Sequence, residues 1–280
     1  MSDVTINYKG NAIATMDASG TKTLLTEGKL CEDDIEVVYV SPGGGGISLD
    51  DYFKRTEPTG AVSLPTVTKF FGYSFYNHDL ITSISAPNLT RLGAYDFYDC
   101  GELVSVNMPE LLYIGENGTA DANISNGTQS YAFNGCHKLE NVNLPKLIKC
   151  GQNTFREVGY GTSIPAGGRI IVLPAIQRVG NSSFRQGKFT AVDIGPDLTY
   201  LDYDAFYLAT VGTVILRSPT VVTANNRDSV KAITNLYVPS AIVADYATAS
   251  NWVSDAGNRT VTAIEGSQYE HYYADGTPIT

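Results

Sequence analysis

The sequence predicts a β-rich solenoid of about seven coils with a period of 22 residues, preceded by a small β element. Three observations support this fold class: two residue series that share one period, strand-like alternation within each unit, and a composition rich in turn formers. The 280-residue chain contains 27 Gly, 12 Pro and 18 Tyr. Gly and Pro favour the turns between strands, whereas Tyr favours the strands themselves.

Two residue series define the repeat. The first is Phe75, Phe97, Phe133, Phe155, Phe184 and Phe206. The second is an apolar residue followed by proline, at Pro65, Pro87, Pro109, Pro145, Pro174 and, after an additional Gly, Pro196. In five of these six units the Phe follows the Pro by ten residues. Since chance does not produce two series with one offset, the repeat is the dominant feature of the chain.

Two of the intervals between phenylalanines exceed the period of 22. The interval from Phe97 to Phe133 is 36 residues and that from Phe155 to Phe184 is 29 residues. The additional residues fall in 115–130 and 156–168, which are rich in Gly, Ser, Thr and Asn. These two stretches are therefore predicted to be loop insertions on the solenoid.

Each unit has a strand pattern before its proline. In residues 103–108 apolar and polar side chains alternate, which predicts a short strand with one buried face. Proline ends the strand because it has no N–H to donate to the ladder. A further apolar position follows five residues after each proline, at Phe70, Leu92, Ile114, Cys150, Val179 and Leu201. The Phe of each unit is expected to fill the core between coils.

This pattern resembles the BspA-like class of bacterial leucine-rich repeats. The residues that carry the resemblance are LITSISAP (80–87) with LGAYDFYDC (92–100), and YAFNGCHKL (131–139) leading to Leu144 and Pro145. The resemblance covers residues 61–239 and implies the α/β superhelix class, with short strands and irregular or short helical returns. It also implies that 236–239 is the closing strand and 240–246 a short capping helix. Trp252 and Ile264 are then expected to seal the open end.

The predicted organisation has four parts: a small β segment at 1–40, a Gly-rich linker and N-terminal cap at 41–60, the solenoid at 61–239, and a C-terminal cap and tail at 240–280. The first segment resembles an N-terminal element of phage and prophage structural proteins. The residues that carry this second resemblance are NYKGNAIA (7–14), GTKTL (20–24) and GKLCEDDI (28–35). It implies attachment to other virion proteins through residues 1–40, with the solenoid presented outward.

Charge and sequence signals exclude several classes of partner. The net charge of −10 and the lack of a Lys/Arg cluster along the sequence are a poor match to a phosphate backbone, so nucleic acid is not an expected partner. No apolar run long enough to span a membrane and no secretory signal occur, which predicts a protein made in the host cytoplasm and not inserted in a membrane. No catalytic motif or cofactor motif is present, so we expect a non-enzymatic protein without cofactors.

Three positions could form a metal or thiol site. His78, Cys100 and Cys136 each follow a repeat Phe by three residues. The alternative, which we favour, is that they are successive members of one semi-buried row in which Cys acts as a small hydrophobic residue. Cys150 falls on an apolar core position and is interpreted as a core residue.

Binding is predicted on two surfaces. The strand residues expected to point away from the core are Ser83, Ser85, Ser105, Asn107, Asn141, Asn143, Ile170, Val172, Ala191 and Asp193. The insertions are the second surface, since insertions in repeat proteins map to binding faces. The candidate binding residues are Tyr113, Asn117, Asn126, Tyr131, Tyr160, Asn107 and Asn143. The expected ligand is a host-surface protein or glycan. The sequence is also compatible with a homo-oligomer.

Three functions fit these features. The first is a phage or prophage virion protein of the tail, fibre or head decoration, which contacts the host surface. The second is a bacterial cell-surface adhesin, which would require export. The third is a virion-borne polysaccharide depolymerase, which no sequence motif indicates.

Overall fold

The computed structural model describes residues 4–8, 11–16, 22–24, 60–65, 67–70, 72, 74–115, 128–253, 259–271, 273–274 and 277–278. The first three stretches form an antiparallel sheet of β1 (Val4–Tyr8), β2 (Asn11–Met16) and β3 (Lys22–Leu24), with β2 in the centre. The described residues of the segment predicted as a small β element at 1–40 thus form a sheet, and residues 25–40 of that segment lie outside the described residues. The four-part division of the chain stays a prediction.

The repeat region is a β-solenoid of about eight turns with a period near 22, which confirms the predicted fold class. Its strands in chain order are β4 (Gly60–Ser63), β5 (Ile81–Ser85), β6 (Arg91–Leu92), β7 (Ser105–Asn107), β8 (Tyr113–Ile114), β9 (Asn141–Asn143), β10 (Lys149–Cys150), β11 (Ile170–Leu173), β12 (Arg178–Val179), β13 (Lys188–Ile194), β14 (Tyr200–Leu201), β15 (Thr210–Leu216), β16 (Thr223–Ala224), β17 (Asn235–Val238) and β18 (Thr260–Ala263). A short hairpin of β19 (Tyr273–Ala274) and β20 (Thr277–Pro278) follows.

The solenoid strands form two parallel sheets. The long sheet contains nine strands, in the order β4-β5-β7-β9-β11-β13-β15-β17-β18, and the short sheet contains six, in the order β6-β8-β10-β12-β14-β16. Six coils supply one strand to each sheet, whereas among the described residues β4, β17 and β18 have no counterpart strand in the short sheet. The sequence predicted the strands of the long sheet, but it predicted irregular returns where the structure has the two-residue strands of the short sheet.

A stack of phenylalanines runs through the core. Phe97, Phe133 and Phe155 are fully buried, and their rings lie nearly parallel with centroids 5.5 and 5.7 Å apart. The same stack continues to Phe75 on one side and to Phe184 and Phe206 on the other. The backbone of these turns is paired from coil to coil, as in the hydrogen bond from Phe97 N to Ala132 O at 2.9 Å. The predicted core role of the Phe series is therefore confirmed.

Each Phe turn bends sharply at two positions, two residues before and two residues after the Phe. In the second coil these are Tyr95 (φ 61°) and Asp99 (φ 58°), both in the left-handed region. Non-glycine residues, and aromatic ones above all, rarely adopt this conformation. Hydrogen bonds to the neighbouring coil hold it, since Tyr95 N donates to Ser130 O at 2.7 Å and Asp99 N to Asn134 O at 2.7 Å.

The C-terminal end differs from the prediction. Residues 235–238 form β17, but β17 is not the closing strand because β18 pairs with it in parallel. The expected capping helix consists of two short 3-10 turns, Ser240–Ile242 and Asp245–Ala247. Trp252 seals the core as predicted: it is buried, packs edge-on against Tyr246 at 4.9 Å, and its Nε1 donates to Val222 O at 2.8 Å.

Ile264 lies elsewhere, on the outer face of the long sheet. It forms a second apolar cluster with Ile170, Ala191, Ile215 and Tyr269. Residues 264–271 therefore cover the face on which Ile170, Val172, Ala191 and Asp193 were predicted to point into solvent. These side chains do point away from the main core, but Ala191 and Asp193 are fully buried beneath this C-terminal turn.

Arg217 holds the C-terminal turn in place. Its guanidinium donates to both carboxylate oxygens of Asp193 at 2.8 Å, and to the carbonyl oxygens of Tyr269 and His271 at 3.0 and 2.8 Å. Burial of the Asp193 charge is thus accompanied by a bidentate ion pair, the geometry in which such a pair is strongest. The open part of the long-sheet face is consequently restricted to the N-terminal coils.

Candidate functional site

Four tyrosines form a cluster on the Phe turns of the first coils, which we call the tyrosine edge: Tyr76, Tyr95, Tyr98 and Tyr131. Tyr76 and Tyr98 are stacked with ring centroids 5.1 Å apart, and Tyr95 and Tyr131 are stacked at 4.8 Å. The two stacks touch, because Tyr95 and Tyr98 are 5.6 Å apart with tilted rings. All four side chains are partly exposed. The repeat brings them together, since they occupy the positions two before or one after the Phe.

The tyrosine edge offers ring edges and hydroxyl groups to a partner, because each ring covers one face of its stacked neighbour. A phenolic hydroxyl both donates and accepts hydrogen bonds. Desolvation, together with the nearby Asp99 carboxylate, raises the pKa of Tyr98, so this hydroxyl stays protonated at physiological pH. Tyr95 and Tyr131 adopt left-handed φ values of 61° and 53°. The same conformation recurs two residues before the Phe of later coils, at Asn153, Ser182 and Asp204, so it is a feature of the repeat.

The second insertion borders this cluster. It begins at Arg156 and Glu157, whose charges act on the Tyr98 hydroxyl. The amide Nδ2 of Asn134 donates to Arg156 O at 3.3 Å, which ties the insertion to the neighbouring coil. Within the insertion, Tyr160 is half exposed and its ring centroid lies 6.5 Å from that of His137. The predicted binding residues Tyr131 and Tyr160 are therefore on the same side of adjacent coils.

Arg169 anchors the end of this insertion. It is buried, with Nε donating to Leu139 O at 2.8 Å and Nη1 to Lys188 O at 3.0 Å. Its Nη2 contacts His137 O and Thr162 Oγ1, both at 3.4 Å. Burial lowers the pKa of Arg169, an effect that the Glu140 carboxylate opposes. An arginine at this position joins three coils to the inserted residues.

Asn107 and Asn143 lie on the open outer face of the long sheet. Both are exposed, and Asn143 Nδ2 donates to Asn107 Oδ1 at 2.6 Å between adjacent strands. Such amide pairs across parallel strands stabilise register as well as offering polar groups to a ligand. These two residues are brought together, but on a different part of the coil from the tyrosine edge.

Of the remaining predicted binding residues, the structure describes only Tyr113. Tyr113 is on β8 of the short sheet, between Arg91 and Lys149 in register. Asn117 and Asn126 lie in the first insertion, outside the described residues. Sequence reasoning missed Tyr76, Tyr95 and Tyr98. The repeat contained the signal for them, since aligning the units on Phe places them in the same rows.

The row of His78, Cys100 and Cys136 is buried. Cys100 Sγ donates to Phe75 O at 2.9 Å and Cys136 Sγ to Phe97 O at 3.1 Å, so successive coils repeat the same contact. Burial raises the pKa of the Cys136 thiol well above its usual value, which disfavours the nucleophilic thiolate. Within the described part of the chain, no three His, Cys, Asp or Glu side chains are grouped so as to hold a metal ion.

Asp96 is a buried carboxylate whose environment resembles that of a catalytic acid. Burial raises its pKa to about 6, although hydrogen bonds from Ser74 N, Ser74 Oγ and Gly93 N, at 3.1, 2.8 and 2.6 Å, act in the opposite direction. This pKa lies above that of an exposed carboxyl group. The protonated Asp96 side chain therefore contributes to folding stability at acidic pH, and this contribution is lost as pH rises through about 6. The side chain is fully buried, so we assign it to joining two coils.

The described residues include no helix with the length and apolar character needed to cross a membrane. Two stacked parallel sheets, a Phe core and exposed turn residues define a solenoid of the leucine-rich-repeat class. The chain belongs to the BspA type leucine rich repeat family, whose model matches residues 50–126, 68–158 and 122–221. A search of curated proteins finds no match to this chain.

A comparison with solved structures finds matches of low sequence identity. A leucine rich repeat protein of T. pallidum is 17% identical, with a TM-score of 0.42, and the match covers 55% of this chain and 73% of that one. The pneumococcal vaccine antigen PcpA is 13% identical, with a TM-score of 0.45 and coverage of 73% and 56%. A leucine-rich repeat protein of Bacteroides ovatus is 11% identical, with a TM-score of 0.37 and coverage of 65% and 64%. The chain thus spans less than two thirds of the latter two.

Proposed function

We propose that this chain is a non-enzymatic recognition module that binds a protein on a host surface through the tyrosine edge and the adjoining insertion 156–168. The observation that carries the proposal is the cluster of four partly exposed tyrosines in two touching stacks. BspA-type repeat proteins are generally non-catalytic binding modules, which supports the general class.

A protein ligand suits this surface for two physical reasons. Tyrosine offers a large contact area and a hydroxyl group, and it is enriched at the cores of protein interfaces. The stacks also fix the ring positions before binding, so little side-chain entropy is lost when the partner docks. Tyr160 on the insertion extends the same side of the solenoid, and its half-exposed ring enlarges the contact area.

Replacing tyrosines of the edge should weaken binding without unfolding the protein. We expect Tyr98→Ala and Tyr131→Ala each to reduce the affinity of the full chain for host cells by about thirtyfold, the effect of losing a central interface tyrosine. The measurement is binding of fluorescently labelled protein to intact cells in flow cytometry. Tyr203→Ala is the matched control, because Tyr203 is 52% exposed and lies outside the edge.

Treatment of the cells separates the ligand classes in the same assay. Loss of binding after protease treatment supports a protein ligand, whereas loss only after periodate oxidation would identify a glycan and overturn the protein assignment. Unchanged binding of folded Tyr98→Ala and Tyr131→Ala, established by circular dichroism and thermal unfolding, would contradict the proposed site.

We further propose that the module is displayed on a phage or prophage particle as a tail, fibre or head-decoration component, attached through residues 1–40. The support is the resemblance of residues 7–14, 20–24 and 28–35 to the N-terminal segment of such structural proteins. The alternative is a bacterial cell-surface adhesin. It is equally compatible with the family, since BspA-like leucine-rich-repeat relatives are cell-surface proteins.

Localisation in the source organism distinguishes the two settings. Mass spectrometry of purified particles and immuno-electron microscopy should place the chain on virions if the phage proposal holds. Truncation of residues 1–40 should then abolish incorporation and leave the solenoid folded. Detection on cell envelopes, with particles empty of the chain, would overturn the virion proposal and support the adhesin.

A further inference from the structure

The short sheet aligns four basic side chains that are far apart in the sequence. Lys69 is paired in parallel with Arg91, Arg91 with Tyr113, Tyr113 with Lys149, and Lys149 with Arg178. We call Lys69, Arg91, Lys149 and Arg178 the cation row. No Lys/Arg cluster is visible along the sequence, because these four residues are far apart in the chain. The repeat creates the cluster by stacking coils.

The cation row is unusual in a chain of net charge −10. Lys69 faces Arg91 directly, and Lys149 faces Arg178 directly. Tyr113 lies between the two pairs, and Tyr200 follows Arg178 on the next strand, where their neighbours Val179 and Leu201 are paired.

The row is accessible over most of its length. Arg178 is exposed, Lys149 and Lys69 are partly exposed, and Arg91 is buried. The four side chains also interact within the protein; Asp96, for example, acts on Arg91. Asp202 is a further carboxylate on this side, where it acts on Tyr200.

We propose that the cation row binds an anionic polysaccharide that carries one carboxylate on each sugar ring. Adjacent strands are separated by about 4.8 Å, so the accessible neighbours Lys149 and Arg178 present basic groups at an interval close to the length of one pyranose residue. Tyr113 and Tyr200 occupy the same row and supply aromatic and hydroxyl contacts to the sugar rings between the charges. The ligand would lie along the solenoid axis, across the strands.

Nucleic acid matches this row less well. Duplex DNA carries one charge per about 1.7 Å of axis, and its affinity depends on many cations facing a dense phosphate backbone. The row supplies few cations at a wider spacing, and the overall negative charge of the protein repels a polymer of high charge density. A polysaccharide with one charge per sugar has fewer charges per unit length than duplex DNA, so both penalties are smaller for it.

Binding to polygalacturonate tests the proposal, because this polymer has one carboxylate per sugar and its methyl ester is a neutral analogue. We expect the full chain to bind polygalacturonate in biolayer interferometry at 50 mM salt, and the double variant Lys149→Gln/Arg178→Gln to bind about tenfold more weakly. The control Lys138→Gln/Lys231→Gln makes the same charge change at exposed residues outside the row. It should bind like the unmodified chain.

Three results would overturn the proposal: equal loss in both double variants, equal binding of the methyl ester, or tighter binding of duplex DNA than of polygalacturonate. The first would show that overall charge governs binding, and the second that the carboxylates do not matter. The outcome is independent of the tyrosine-edge proposal, since Tyr98→Ala should leave polygalacturonate binding unchanged and Lys149→Gln/Arg178→Gln should leave binding of the protein ligand unchanged.

Discussion

Replacing Phe133 with Ala should destabilise the protein by about 3 to 5 kcal/mol, the range for removing a fully buried aromatic side chain. Phe133 lies in the middle of the aromatic stack, between Phe97 at 5.5 Å and Phe155 at 5.7 Å. The cavity would remove contacts to both neighbouring coils. Because each coil is stabilised mainly by its neighbours, this single loss should weaken two coil interfaces at once.

Urea unfolding followed by circular dichroism measures this effect, together with thermal unfolding, in which we expect a shift of roughly 10 °C for a domain of this size. The matched control is Phe133→Leu, which keeps most of the volume and should cost less than about 1.5 kcal/mol. A loss below 1 kcal/mol for Phe133→Ala would show that the coils around Phe133 repack without their aromatic stack.

The Phe stack could be predicted because its members recur at one offset from Pro. Burial of a large side chain at a fixed position in each coil is a local requirement that every unit must meet separately. The same reasoning placed Cys150 in the core, where the structure finds it fully buried. Prediction succeeded where the constraint repeats within each unit.

The short sheet could not be predicted in the same way. Its strands are two residues long, as in Tyr113–Ile114 and Lys149–Cys150, which is too short for alternation to be recognised. The cation row follows from this sheet, because Lys69 and Arg178 become members of one row only when the returns of all coils are in register. The sequence signal for the cation row is the spacing of its basic residues from unit to unit. This spacing becomes regular only when the inserted residues are left out of the alignment.

The covered face of the long sheet was missed for a different reason. Ile170 and Ile215 alternate with core residues, and their apolar character already conflicted with an open face. What covers them lies far along the chain, at Ile264 and Tyr269. A contact made once by a non-repeating segment has no periodic signal. Single long-range contacts of this kind are beyond what a repeat pattern predicts.

Replacing Arg169 with Leu should cost about 3 to 5 kcal/mol, because two buried carbonyl oxygens would lose charge-assisted hydrogen bonds worth about 1.5 to 3 kcal/mol each. These acceptors are Leu139 O and Lys188 O, at 2.8 and 3.0 Å. Arg227→Leu is the control, since Arg227 is exposed. Urea unfolding measures the stability, and hydrogen exchange measures the order of residues 156–168. A small loss with unchanged exchange would contradict the anchoring role.

Gly159→Ala perturbs the same contact from the opposite side. A Cβ at Gly159 would clash with the guanidinium of Arg169, and φ at this position is +75°, a conformation that alanine rarely adopts. Both variants should therefore increase exchange in the insertion, and their effects should not add in the double variant, because each breaks the same packing. In both variants the insertion would no longer hold Tyr160 beside His137. Arg169→Leu and Gly159→Ala should therefore also weaken ligand binding at the tyrosine edge if Tyr160 contributes to that binding. Additive stability losses would show that Gly159 and Arg169 act independently and that the insertion has a second anchor.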